Sequence, residues 1–439
     1  ATGLSEDAVA VALIRLEAEG FALRGRFSPR PEPEEEFCAR RLLARIHSYT
    51  QKRLRREVEP VTAQDLMRFL LRWQHVAPGT QAVGRAGVLA VVEQLQGFEI
   101  PAGAWEEAVL PARLEGYRGE WLDAACLSGE VVWGRLSVRP DDPDAPGKRS
   151  AATPSRATPV SFAIRADLEW LLQAARADLV PAEPGPGAGS DVLECLRARG
   201  ALFHAELAAA SGRLPTEVEE GLWDGVARGL VTADGFDAVR GLLSARDRWA
   251  VRQRHRRRRL RQGARGGPAQ QGARGGPAQS GAGTSSRAQG YGQGRWALLP
   301  GATPVDDPDA LAEAVAEQLL ARWGVVFRDL LVRESLALPW REVWWAFRRL
   351  EARGVIRGGR FVTGFVGEQY ALPEAVDALR AVRRSDRTGE VVRLSAADPL
   401  NLVGIVTPGP RVPALRTNSV AYVDGLPMTD LVGGTVTAL

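Results

Sequence analysis

The chain has 439 residues, 45% of them hydrophobic and 25% charged, with a formal net charge of +4; this size suits about three domains and this balance suits a soluble globular protein. No run of ~18 apolar residues offers a membrane span, the opening ATGLSEDAVA has no signal-peptide pattern, and no GxxxxGK[ST], CxxC or HExxH motif offers a P-loop or a metal site. Only Lys52 and Lys148 are lysines, and since codon bias explains most of that arginine excess, the clustering of the arginines is the informative quantity; arginine's planar fork suits phosphates and base edges.

In chain order, the first pattern is a helix with Ser5 as N-cap, running to Gly20, then a short apolar strand, a Gly25 turn and Phe27. A glycine C-cap, a strand and a Gly-containing turn are the back half of a winged helix. Residues 1–30 are therefore expected to be a partial winged helix, its third helix and wing, which reads as a fragment of a longer protein. Arg24 and Arg26 lie in that wing. Residues 31–130 carry apolar residues at three- and four-residue spacing, predicting helices over 35–57, 62–76, 85–95 and 104–114. Within them, Arg72-Trp73 interleaves charge and ring, so Trp73 either stacks on an unpaired base or sits in the core, the commoner fate.

A strand over 130–138, a Pro/Asp/Ala-rich loop over 139–158, a partner strand over 159–164 and a helix over 167–177 make 131–180 a connection. The same syntax recurs over 181–245, with helices predicted at 191–199, 204–211 and 215–228, Pro215 at the first helical position, and a strand-turn-strand around 231–236. Its third helix carries Glu217, Glu219, Glu220 and Asp224, an acidic face that repels phosphate. Residues 246–295 read as a basic low-complexity linker, with arginines at 256–259 and a twice-written GARGGPAQ, too poor in apolar residues to offset ordering entropy.

The third winged helix is expected over 296–385, with helices at 308–323, 327–334 and 339–353 and a following helix at 373–384. Asp307 is its N-cap and Pro308 its first residue. On its third helix, Val343, Phe347 and Leu350 share the core stripe, which leaves Arg341, Arg348, Arg349 and Arg353 around it, with Arg357 and Arg360 in the wing. A third helix in a major groove with a wing on the backbone is the usual docking of such modules; the alternative for this helix, with Trp344 and Trp345 side by side, is packing between modules. Residues 386–439 switch to strands at 391–394, 403–406, 419–423 and 435–439, a β-barrel-like segment cut short at the end. The fold class is thus mainly α with small β, tandem winged-helix modules and a C-terminal β segment. Asp398 and Asp424 sit in turns, where Asp bonds locally.

Several of these stretches resemble the large helicase-related (Lhr) family of superfamily 2, DEAD/DEAH-box helicases: 40–55 (RRLLARIHSYTQKRLR), 61–79 (VTAQDLMRFLLRWQHVAPG), 95–100 (LQGFEI), 127–136 (LSGEVVWGRL), 294–299 (GRWALL), 349–373 (RLEARGVIRGGRFVTGFVGEQYALP) and 398–404 (DPLNLVG). The resemblance implies a DNA-binding and assembly region of an ATP-dependent 3′–5′ helicase acting in bacterial DNA repair, cytoplasmic and nucleoid-associated. ATP and Mg belong to an upstream helicase core, and this chain needs no cofactor or metal. Single-stranded or duplex DNA, that core and a homo-oligomer are the implied partners, and no membrane is. The winged-helix array of the family also resembles AlkZ-type glycosylases, so the alternative is a uracil- or alkyl-base glycosylase with Asp398 as its catalytic carboxylate. A protein-interaction scaffold is a third reading.

Overall fold

The structure, a computed structural model, describes residues 5–28, 35–56, 59–138, 156–177, 179–243, 294–428, 431–432 and 435–436. The expected linker core, most of the 139–158 loop and the final residues lie outside them.

Three segments fold into one recurring unit: a helix, a two-residue strand, two more helical stretches, then two strands. Module I uses Gly84–Leu95, Ile100–Pro101, a helical stretch over 102–113 with a π-turn at Trp105–Val109, Gly119–Leu127, Val131–Gly134 and Pro159–Ile164. Module II uses Ala188–Arg199, Leu202–Phe203, His204–Ser211, Pro215–Arg228, Val231–Ala233 and Arg295–Leu298. Module III uses Pro308–Trp323, Val325–Val326, the 3₁₀ turn Arg328–Arg333, Trp340–Ala352, Arg357–Gly359 and Gln369–Ala371. In all three the last strand lies between the other two, antiparallel to both. A third helix feeding a wing hairpin, with the short first strand on the hairpin's far edge, is the winged-helix topology.

Local chemistry explains the predicted parts. Asp307 accepts from the amides of Asp309 and Ala310, both at 3.0 Å, and Ser5 accepts from Ala8, each satisfying orphan donors at a helix start. Glycines with positive φ follow the third helices of modules II and III, at Gly229 and Gly354, in the left-handed conformation that turns the chain into the wing strand.

Five expectations are corrected. Module I is a winged helix, where a helical region and a connection were expected. The wing of module II does not return at Phe236; that residue leads into a helix over 237–243, and the returning strand is Arg295–Leu298. The two wing strands are thus far apart in sequence, and strand 295–298 belongs to module II. The helix expected from 35 begins at Arg40, because Glu36–Ala39 pairs with Ala22–Gly25 as a hairpin and cross-strand pairing overrides the local helical pattern. Residues 403–406 form a turn instead of a strand, since Gly404 sits at φ +72° and Asn401 holds the carbonyls of Ala396 and Val412. Among the described residues the C-terminal strands make a three-stranded antiparallel sheet, with Ser419–Val423 between Val391–Ser395 and Leu426–Pro427, and a separate hairpin, not a closed barrel.

One hydrophobic cluster runs from Val61 through all three modules to Tyr422. Arginines stitch its seams. Arg322 of module III binds Glu334 and reaches back to the carbonyls of Gln94 and Gln96 at the end of module I's first helix. Arg240 of module II bonds Glu106 and Asp123 of module I. Arg176 donates to the carbonyls of Leu136, Gly229 and Pro300. Guanidinium groups on helix-terminal carbonyls satisfy the acceptors that a helix leaves open.

Candidate nucleic-acid interface

Module III positions most of the predicted contacts. Its third helix buries Val343, Phe347 and Leu350 as expected, which turns the arginines outward. Three of the four are engaged within the module. Arg348 lies 3.5 Å from Glu351 and 3.7 Å from Glu368, with its guanidinium 5.8 Å from the Trp344 ring centre. Arg349 pairs with Asp309 at 3.0 Å, and Arg353 pairs with Glu313. Such partly exposed pairs are worth about 0–1 kcal/mol each, so a phosphate approaching them can compete for the guanidinium. Arg341 and Arg360 are exposed and Arg357 is half-buried; none of the three has an ion-pair partner among the described residues. The helix start and the wing therefore carry the uncommitted positive charge of this module.

Beside that helix lies a groove of about 710 Å³, lined by Val315, Leu331, Trp340, Trp344, Val366 and Glu368 among others. Trp344 donates to Glu368 at 2.9 Å, while Trp345 stays half exposed. The tryptophan pair thus faces a cleft and solvent and is not consumed in packing between modules.

The other sequence candidates are scattered. Arg24 sits in the N-terminal hairpin, held by Glu17 at 2.9 Å and Glu35 at 3.3 Å, whereas Arg26 is exposed with no partner among the described residues. Arg72 is exposed and reaches Glu390 at 3.9 Å. Trp73 donates its indole N–H to the Ala321 carbonyl at 2.9 Å and leans on Phe69, ring centres 5.3 Å apart. That ring helps fasten the helix Ala63–Trp73 to module III, so stacking on a base requires it to leave a bonded seat. On module II's acidic helix, Asp224 and Glu217 are partly neutralised by Arg228 and Arg213.

Asp398 lies deep in the molecule. Both its oxygens face Arg113, at 2.6 and 2.9 Å, and one also accepts from the Leu400 amide. Both side chains are essentially sealed from solvent. Arg113 adds bonds to Gln74 and the Val109 carbonyl, and Arg333 donates to the main-chain carbonyls of Asp398 and Asn401. Sequence reasoning missed Arg113, Arg322 and Arg333; Arg113 and Asp398 are 285 positions apart, a separation no local spacing reveals. Among the described residues no cluster of three or more His, Cys, Asp or Glu side chains could hold a metal. Burial pushes the Cys126 thiol up to about 12, so it is a packed apolar group and not a nucleophile.

Three winged helices sharing one core define a tandem winged-helix protein. Within that class, residues 61–146 and 305–391 each match a family model described as the large helicase-related (Lhr) protein winged-helix domain. Two curated relatives are similar along most of the chain. "Lhr helicase/ probable uracil glycosylase" of Mycolicibacterium smegmatis is 29% identical over 92% of it, and "Lhr helicase/uracil glycosylase" of Escherichia coli is 29% identical over 84%. The chain spans about a quarter of the length of each, 25% and 24%. Among solved structures, Streptomyces sahachiroi DNA glycosylase AlkZ aligns at TM-score 0.43 and 13% identity, covering 84% of this chain and 87% of that one; a likeness that loose carries no function.

Proposed function

We propose that this chain is a DNA-binding region of an Lhr-type protein, holding DNA for an ATP- and magnesium-dependent helicase core carried elsewhere in such proteins, in the service of DNA repair in the bacterial cytoplasm. The observation that carries this reading is the set of uncommitted arginines, Arg341, Arg357 and Arg360, at the start of the third helix and in the wing of module III. That is where a winged helix meets the groove and the backbone. Arg348, Arg349 and Arg353 stand behind them as contacts that exchange a weak internal partner for phosphate.

The test is binding of the whole chain to undamaged duplex, uracil-containing duplex and single-stranded DNA across a salt series. Replacing Arg357 and Arg360 together by Ala is expected to weaken binding without regard to sequence and to reduce the salt slope by roughly two. An unchanged slope removes this wing from the interface, and no binding at low salt defeats the reading.

The names of the two curated relatives favour a second reading, base excision from uracil-containing DNA. In that reading Asp398 is the carboxylate that stabilises the charge developing on the sugar. Its ion pair with Arg113 would have to open first, so base release and strand scission after alkali are expected only where that buried pair is mobile. Release that survives Asp398→Asn in folded protein rules this residue out.

A further inference from the structure

Buried charges are normally paired, because an isolated one loses its hydration. Arg333 departs from that rule in a particular place. It is half-buried between module I and the C-terminal turns, with its guanidinium 5.9 Å from the Phe98 ring centre. Its hydrogen-bond partners are two neutral carbonyls, those of Asp398 and Asn401, and no carboxylate lies within ion-pair distance among the described residues.

The nearby acids are taken. Asp398 faces Arg113, and Glu334 holds Arg322 and the Trp323 indole. Glu99 accepts from the amides of Leu136 and Ser137 and from the Ser137 hydroxyl. Arg333 has a second cation, Arg411, beside it: burial depresses the Arg333 pKa, the charge of Asp398 raises it, and the charge of Arg411 lowers it further. Arg176 is buried without a carboxylate too, but three carbonyls surround it and no cavity adjoins it among those described. Arg333 and Arg411 instead share the lining of a cavity of about 330 Å³.

We propose that the pocket bounded by Phe98, Glu99, Arg333 and residues 411–414 is a binding site for a phosphate group. Two guanidinium forks on one cavity match the bidentate geometry of a phosphate's oxygens, and a bound anion relieves the repulsion between them. The cavity has room for a phosphate with a substituent, so the group belongs either to a DNA backbone or to a small phosphorylated molecule. The site lies where module I, module III and the C-terminal segment meet, so an occupant also ties these parts together.

The experiment titrates inorganic phosphate into the whole chain at constant ionic strength, with chloride as the balancing anion, and follows the thermal midpoint. A saturable rise specific to phosphate is expected, since a ligand that binds only the folded state stabilises it. Arg411→Ala, at an exposed side chain, should keep the fold and raise the half-saturating phosphate concentration at least tenfold; Arg411→Glu should abolish the response. Arg357→Ala with Arg360→Ala should leave it intact, which separates this site from the proposed DNA contact. Displacement of the phosphate by a short duplex assigns the pocket to a DNA backbone, and its persistence assigns it to a free phosphate; both outcomes sustain the site. Equal shifts with phosphate and chloride, or an Arg411→Ala chain that responds like the parent, would overturn it.

Discussion

Arg113 and Asp398 show what a buried pair means at the scale of single residues. Removing one partner strands the other charge, at a cost of about 3–5 kcal/mol, whereas replacing both with apolar residues of similar volume is often neutral. Asp398→Asn is therefore expected to lower the urea midpoint sharply, Arg113→Met to do the same, and Arg113→Met with Asp398→Leu to recover most of the loss. Additive losses in the double variant would mean that the pair itself contributes little. The same comparison serves the base-excision reading, because it shows whether an inactive Asp398→Asn chain is still folded. His204 offers a pH probe. It is buried at the start of a helix, its Nε2 3.2 Å from the Pro215 carbonyl, and burial depresses its pKa below the ordinary 6.5. The folded state thus resists protonation that the unfolded chain accepts, so its contribution is present above pH 6.5 and is lost as pH falls below it. Urea midpoints measured from pH 8 to pH 5 should drop more for the parent than for His204→Gln. Parallel curves would show that the imidazole charges freely in the folded protein.

At the scale of elements, legibility followed locality. The helices Pro215–Arg228, Pro308–Trp323 and Pro373–Arg384 were readable because each starts on a proline, and the first two also stop at a glycine, signals that lie within a few residues of what they control. Module I carried the same signal, a helix ending near Gly129 followed by the strand Val131–Gly134. Its wing returns only at Pro159; the partner strand was legible, but the gap hid that the hairpin completes a winged helix. Module II hid its wing further still, pairing Val231 with Leu298, far apart in sequence. The candidate site divided in the same way. The arginines of the third helix could be listed from the sequence, but which of them are free depends on Asp309 and Glu313 on another helix. Gly229 joins the two kinds of information: its φ of +73° follows from the helix stop, and a Cβ there would stand 2.7 Å from the Arg135 carbonyl of module I. Gly229→Ala is expected to cost about 1–3 kcal/mol from the left-handed backbone and the contact together, read as a lowered thermal midpoint. A loss no greater than that of an exposed helical substitution would mean that the two modules yield there.

Over the whole molecule, the question is whether the modules behave as beads or as one body. Tandem domains joined by linkers unfold separately when the interfaces between them are small and polar. Here the apolar core is continuous from Val61 to Tyr422, and each seam is crossed by a guanidinium: Arg240 between modules I and II, Arg322 between I and III, and Arg113 between module I and the C-terminal turn. Part of the arginine excess is thus put to use in the interior. A rigid body matters for the proposed DNA binding, because recognition surfaces on different modules would keep a fixed spacing and the entropy of ordering them is met during folding rather than on binding. Trp105 of module I, Trp296 of module II and Trp323 of module III are all buried and can report on each separately. With single-tryptophan chains, the three urea transitions are expected to coincide, and Arg240→Ala, made at one seam, should shift all three midpoints together. Transitions that separate, or a shift confined to the reporters at Trp105 and Trp296, would show that module III folds independently and that the seam at Arg322 is a contact rather than a coupling.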